Sequence, residues 1–72
     1  MTNTDLEKVV KPIRAWRGLA ELTQAELAER VGVTARTVSE WEKDTSVLRN
    51  VSYKRLQAIA KALDIEVDNI FL

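Results

Sequence analysis

The 72-residue sequence contains neither cysteine nor histidine. Without cysteine it has no disulfide, no thiol nucleophile and no thiolate ligand for zinc. Without histidine it lacks the commonest general base and metal ligand. Only two glycines are present, so no Gly-rich phosphate-binding loop can form. The sequence therefore predicts a protein that is not an enzyme and needs no metal or cofactor.

Long hydrophobic runs are also missing. No apolar run approaches the roughly eighteen residues of a membrane-spanning helix, and the N-terminus lacks the apolar region of a signal peptide. Apolar residues form 46% of the chain, enough for one small core near the lower size limit of a self-sufficient domain. We predict one cytoplasmic domain over residues 1–72 that does not enter a membrane and that gains stability by dimerising.

Residues 23–42 contain the clearest structural pattern, two short helices joined by a tight turn. Thr23 is followed three residues later by Glu26, a capping box that predicts a helix starting at Gln24. That helix has a buried stripe at one-turn spacing, formed by Leu27, Ala28 and Val31. Gly32 then ends it, where the chain often needs the left-handed backbone that glycine adopts cheaply.

The second helix of this motif begins after Thr34, another good N-cap residue. Val38 and Trp41 lie three residues apart and predict its buried face. Two helices this short cannot bury their stripes alone, so the remaining chain must supply a scaffold.

The stretch closely resembles the helix-turn-helix of the lambda-repressor-like family, also called Cro-type or XRE-type regulators. The matching residues in the motif are Leu22-Thr23-Gln24, Glu26-Leu27-Ala28, Val31-Gly32-Val33, Val38 and Trp41-Glu42. Outside it they are Arg14, Arg17, Leu56, Ile59-Ala60-Lys61-Ala62-Leu63 and Val67-Asp68-Asn69-Ile70-Phe71. The resemblance implies an all-α, compact five-helix DNA-binding domain, with the helix-turn-helix at its second and third helices. It also implies a regulator of transcription, most often a repressor, that binds double-stranded DNA as a homodimer.

In this geometry the second helix of the motif, residues 35–43, enters the major groove and its N-terminal part reaches the bases. The expected base-reading residues are Ala35, Arg36, Thr37, Ser39 and Glu40. Arg36 can donate two hydrogen bonds to guanine, and Glu40 can accept one from cytosine. The alternative is that Arg36 and Glu40, four residues apart, only pair with each other on a solvated face.

Other residues are expected to position the domain on DNA. The expected phosphate contacts are Arg14, Gln24, Thr34 and Lys43. The resemblance implies the contact for Gln24; the alternative is a surface residue that only starts a helix. The resemblance also implies that Arg17 pairs with Glu42. That pair would tie the first helix to the reading helix, so its expected role is structural.

Net charge argues against strong non-specific DNA binding. Eleven acidic residues balance eleven basic ones, whereas a DNA-binding domain is normally basic. Basic residues recur every third position at Lys8, Lys11, Arg14 and Arg17, and acids collect at Asp64, Glu66 and Asp68. A dipolar domain can still present a positive face to phosphates, but a neutral chain releases few counterions. The three acids are better explained as a polar helix end than as a cation site.

The flanks leave several alternatives open. Thr4 and Glu7 form another capping-box pattern, and Pro12 then interrupts the apolar stripe. Either one helix kinks at Pro12, which we favour, or the helix starts there and residues 1–8 form an N-terminal arm. We expect a loop over residues 43–51, with Val47 and Leu48 either in the core or against a second subunit.

Two final helices are expected after this loop. The first is capped by Ser52, and its buried face comprises Tyr53, Leu56, Ile59, Ala60 and Leu63. The second contains Val67, Ile70 and Phe71. No segment suggests a small-molecule ligand. Besides a DNA-binding regulator, the alternative function is an antitoxin-type protein-interaction module of a toxin–antitoxin pair.

Overall fold

The computed structural model describes residues 9–72. Five α-helices lie within this part of the chain, and the predicted all-α fold class is confirmed. They are α1 (Ile13–Leu19), α2 (Gln24–Val31), α3 (Ala35–Lys43), α4 (Thr45–Arg49) and α5 (Tyr53–Leu63), followed by one 3-10 turn, η1 (Val67–Asn69). None of the helices described is long and apolar enough to cross a membrane.

The helix-turn-helix has the predicted local structure. The hydroxyl of Thr23 accepts from the Glu26 backbone amide at 3.0 Å, and the Glu26 carboxylate accepts from the Thr23 amide at 2.8 Å. Gly32 ends α2 in the left-handed region with φ 89°. The Thr34 hydroxyl caps α3 by accepting from the Thr37 amide. These contacts satisfy backbone groups that helix ends leave unpaired, so the two helix starts and the turn are fixed locally.

One apolar core holds the helices together. It takes residues from α1 to α5 and from both sides of the motif, with Leu27, Val38 and Ile59 fully buried. Its other members are Ile13, Leu22, Ala28, Val31, Trp41, Leu48, Leu56, Ala60, Leu63 and Ile70. Helix α2 packs against both α3 and α5, so α5 supports the motif through α2.

The first helix begins at Ile13, directly after Pro12, so the kinked helix that we favoured is wrong. Pro12 occupies the N-cap with an extended backbone, and its carbonyl accepts from Ala15 and Trp16. Lys11 just before it pairs with the C-terminal segment, through bonds from Lys11 N to Asn69 O and from Phe71 N to Lys11 O. Proline suits a helix start because it has no N–H to leave unpaired. The predicted capping box at Thr4 and Glu7 lies outside the described residues.

The expected loop over residues 43–51 contains a further helix, α4. Asp44 ends α3 and its carboxylate also accepts from the Ser46 amide at 3.0 Å, so a new helix starts at Thr45. The two apolar residues of this segment separate, because Leu48 is buried and Val47 is 40% exposed. The core interpretation therefore holds for Leu48 alone.

Two expectations about the C-terminal part need correction. Tyr53 is 64% exposed, although we placed it on the buried face of α5. As the first residue of that helix it points back past the helix start, away from the core. The expected final helix is only the 3-10 turn Val67–Asn69, because Ile70 is extended and its segment pairs with Lys11.

Candidate nucleic-acid interface

The helix α3 has one buried and one exposed face. Val38 and Trp41 are 0% and 4% exposed and fix the helix on the core. On the opposite side, the side chains of Arg36 and Glu40 are 88% and 53% exposed. We call the five predicted base-reading residues the reading face, and the other three, Ala35, Thr37 and Ser39, are partly exposed. The long side chains of this face therefore point to solvent from a helix that is capped at its start.

Arg36 and Glu40 approach each other on this exposed face. The distance from Arg36 Nε to Glu40 Oε2 is 3.5 Å. The two residues are four positions apart, so they are neighbours on the helix surface. An exposed pair of this kind contributes only about 0.3–0.5 kcal/mol. Both predicted arrangements therefore remain compatible with the structure, because so weak a pair can separate when a base competes for Arg36.

A second arginine–glutamate pair joins α1 to the C-terminal end of α3. Arg17 Nε donates to Glu42 Oε2 at 2.6 Å, and Arg17 Nη2 donates to Glu42 Oε1 at 3.1 Å. Arg17 Nη1 also donates to the carbonyl of Leu22 at 2.9 Å. Gln24 Nε2 completes the network with a bond to Glu42 Oε1 at 3.0 Å. The arginine thus holds α1, the start of the motif and α3 in one arrangement.

This network is largely shielded from solvent. The Arg17 and Glu42 side chains are 17% and 6% exposed. Burial alone raises the pKa of Glu42, but the hydrogen bonds from Arg17 and Gln24 and the charges of Arg17 and Arg14 lower it more. The net result is a pKa below the ordinary value for a glutamate. The carboxylate therefore stays ionised at neutral pH and keeps its partners in place.

Beside this network lies a groove with a volume of about 320 Å³. We call it the basic groove, and its lining residues are Arg14, Arg17, Gln24, Ser39, Glu42 and Lys43. The lining contains three cationic side chains and one carboxylate. Arg17 is paired with that carboxylate, Glu42, so Arg14 and Lys43 leave the groove positively charged. Gln24 is also the first residue of α2, where the positive end of the helix dipole favours an anion. The groove can therefore accept a phosphate.

The groove brings together three of the four predicted phosphate contacts. Arg14, Gln24 and Lys43 all line it, although they come from three different helices. Thr34 does not, since its hydroxyl lies at the start of α3, 3.0 Å from the Thr37 hydroxyl. Ser39, expected on the reading face, lines the groove as well, so it lies between the two surfaces.

Sequence reasoning missed one brace of the motif. Arg55 on α5 donates from Nη1 to the carbonyl of Val31 at 3.0 Å. This bond satisfies an end of α2 next to the Gly32 turn. No sequence pattern predicts this hydrogen bond, because its acceptor is a backbone carbonyl 24 residues away. Arg55 therefore links the scaffold helix directly to the turn between α2 and α3.

In the part of the chain that the structure describes, no three His, Cys, Asp or Glu side chains are grouped to hold a metal ion. Asp64 itself closes α5 with a left-handed backbone, φ 59°. Glu66 precedes η1, and its amide donates to the Asn69 side chain. These roles fit the polar helix end that we expected there.

Comparison with known proteins agrees with this geometry. A family model described as helix-turn-helix matches residues 13–70, from the start of α1 to the residue after η1. No match was found to a curated protein or to a solved structure. The family match spans every helix that positions the reading face and the basic groove.

Proposed function

We propose that this chain represses transcription as a homodimer on a palindromic operator. The chain belongs to the Cro/C1-type helix-turn-helix family of DNA-binding transcriptional regulators. In this proposal α3 lies in the major groove and the basic groove receives the DNA backbone. Such a regulator acts in the cytoplasm, where the bacterial chromosome, a plasmid or a phage genome is accessible.

The exposed side of α3 is the observation that carries the proposal. A side chain as long as arginine, 88% exposed on a helix whose other face is anchored by Val38 and Trp41, is free to reach a base edge. Arg36 donates to guanine O6 and N7, a contact that gives about 1–3 kcal/mol of discrimination. Glu40 accepts from a cytosine amino group, and at a wrong base its charge is repelled, which adds selectivity.

The basic groove supplies the sequence-independent part of binding. Arg14 and Lys43 neutralise a backbone phosphate, and Gln24 contributes its second amide hydrogen together with the first turn of α2. Phosphate contacts set orientation and base contacts set specificity. With one phosphate in the groove, α3 is oriented for its reading face to meet the bases.

Two copies are needed for useful specificity. A single reading face meets only a few base pairs, whereas a dimer reads two half-sites about 10–10.5 bp apart. Neutral net charge makes this more important, because it weakens the non-specific contribution to affinity. A palindromic operator follows from the two-fold symmetry of such a dimer.

Selection of the purified protein against a pool of random DNA duplexes tests the proposal. We expect an enriched inverted repeat with half-site centres about 10–10.5 bp apart. Absence of any enriched sequence at low salt would contradict it. Co-purification of a protein partner in equal amount, with no enriched sequence, would instead favour an antitoxin-type interaction module.

A further inference from the structure

Arg55 places a positive charge at the start of a helix, where such a charge is unfavourable. It lies in the first turn of α5 (Tyr53–Leu63), and its backbone amide donates to the Ser52 hydroxyl that caps this helix. The N-terminal end of a helix has a positive partial charge, so local electrostatics disfavour a cation there. A contact elsewhere in the fold has to offset this cost.

That contact lies at the C-terminal end of another helix. Arg55 Nη1 donates to the Val31 carbonyl at 3.0 Å, and Val31 is the last residue of α2. Carbonyls at this end of a helix have no partner within the helix and carry negative partial charge, so a cationic donor is favourable there. A β-carbon added at Gly32, the next residue, would lie 4.0 Å from the same nitrogen. The guanidinium group of Arg55 therefore lies directly beside the point where α2 ends.

The turn that follows is short and fixed at each residue. Only Gly32, Val33 and Thr34 separate α2 from α3. Gly32 has a left-handed backbone with φ 89°, and Val33 packs against the core. The Thr34 hydroxyl caps α3 by accepting from the Thr37 amide. A shift at the end of α2 is therefore transmitted to the first residues of α3.

The N-terminal end of α3 is connected to the scaffold through this turn. Helix α3 packs mainly against α2 and α4, whereas α5 packs mainly against α2 and η1. The C-terminal end of α3 is tied to α1 by the pair of Arg17 and Glu42. At the other end, where Ala35 and Arg36 lie, the turn makes the connection, and Arg55 anchors that turn on α5.

We propose that Arg55 is a positioning residue, which sets the angle at which α3 presents its reading face without touching DNA itself. Its bond to the Val31 carbonyl holds the turn against α5, and the turn holds Ala35 and Arg36 in place. The consequence for DNA recognition rests on the proposed function, whereas the orientation of α3 relative to α5 does not.

NMR of the full chain without DNA tests the orientation of α3. Residual dipolar couplings of the backbone amides report the angle of each helix relative to the others. We expect Arg55→Ala to rotate α3 relative to α5, while the angle between α2 and α5 stays as in the parent. Arg55→Lys retains one cationic donor and should give couplings closer to those of the parent. Lys54→Ala is the matched control, because Lys54 is exposed beside Arg55 and carries the same charge.

Binding to the selected operator separates a positioning role from a merely stabilising one. Gly18→Ala adds stability independently, because Gly18 is exposed within α1 and an added β-carbon would lie in open space. The comparison is between Arg55→Ala/Gly18→Ala and Gly18→Ala alone, both shown to be folded by circular dichroism. We expect the double variant to bind the operator at least about tenfold more weakly, equivalent to about 1.4 kcal/mol, and Lys54→Ala to bind like the parent.

Three results would overturn the inference: couplings of α3 in Arg55→Ala that match the parent, a double variant that binds the operator as tightly as Gly18→Ala, or an equal loss in Lys54→Ala. Failure of the proposed function is distinguishable from these. If α3 rotates in Arg55→Ala but the parent selects no DNA sequence, Arg55 sets the orientation of α3 and the proposed function is wrong.

Discussion

Helix α3 contributes a glutamate to each of two arginine–glutamate pairs that lie in opposite environments. Glu42 and Arg17 are 6% and 17% exposed and meet at 2.6 Å, with Gln24 and the Leu22 carbonyl completing the network. Glu40 and Arg36 are 53% and 88% exposed and meet at 3.5 Å, and among the described residues no further partner is recorded for either. The same two residue types thus form a shielded structural pair at one site and a weak, solvent-exposed pair at the other.

Burial explains this difference. Removing one partner of a shielded pair leaves a charge that water cannot fully solvate, which costs about 3–5 kcal/mol. Separating an exposed pair costs a few tenths of a kcal/mol, because water replaces the lost partner. Arg36 can therefore leave Glu40 for a base at little cost, whereas Arg17 cannot leave Glu42 without tilting the reading helix.

The largest expected effect is the loss of stability in Arg17→Ala. We expect the free energy of unfolding to fall by about 3 kcal/mol, and the melting temperature by at least about 12 °C for a domain of this size. Arg36→Ala should stay within about 0.5 kcal/mol of the parent. Thermal melts followed by circular dichroism measure both, and equal melting temperatures for the two variants would contradict the division of roles.

The next effect concerns the proposed contact between Arg36 and a guanine. Arg36→Lys keeps the charge but loses the two-pronged geometry that matches guanine. We expect the guanine preference to fall by about 1 kcal/mol or more, while the salt dependence of binding stays unchanged. Competition binding with operators that differ at one base pair measures this, with Arg30→Ala on α2 as an arginine control. A lysine variant that retains the full preference would show that charge alone is used.

A smaller effect is expected from Glu42 at acid pH. The pKa of Glu42 is lower in the folded protein than the value of about 4.3 for an unperturbed glutamate. Its carboxylate therefore contributes its full stabilisation above that pH, and the contribution is lost as pH falls through the folded-state pKa. As the pH is lowered from 7, the melting temperature of the parent should begin to fall below about pH 4.3. The melting temperature of Glu42→Gln should fall less steeply over the same range. A curve for Glu42→Gln that runs parallel to that of the parent would be the contrary result.

The smallest effect is expected in the basic groove, beside the buried pair. Lys43→Ala should weaken binding to all sequences alike and reduce the slope of log K against log salt by about 1. Lys61→Ala is the matched control, because Lys61 lies on α5 in a different groove with Asp64, Glu66 and Asp68. Titrations at several salt concentrations measure the slope. Equal slopes in Lys43→Ala and the parent would remove Lys43 from the phosphate contacts.

The two pairs also show what sequence can and cannot predict here. The starts of α2 and α3 and the Gly32 turn were predictable, because their capping partners lie within three residues. Spacing alone could not pair Arg17 with Glu42, which are 25 residues apart; that expectation came from family resemblance. The bond from Asn69 to Val9 spans 60 residues, so no local pattern predicts the extended segment that precedes α1. Helix α4 was missed because its cap, Asp44, follows α3 without a break.

The role of Arg36 can be measured most directly on a set of operators. Binding of the parent and of Arg36→Ala is compared for the selected operator and for versions with each base pair changed in turn. We expect the variant to lose its preference at one guanine per half-site, by about 1–3 kcal/mol, and to keep every other preference with an unchanged melting temperature. A uniform loss across all positions, or an intact guanine preference, would contradict the assignment of Arg36 as the reading residue.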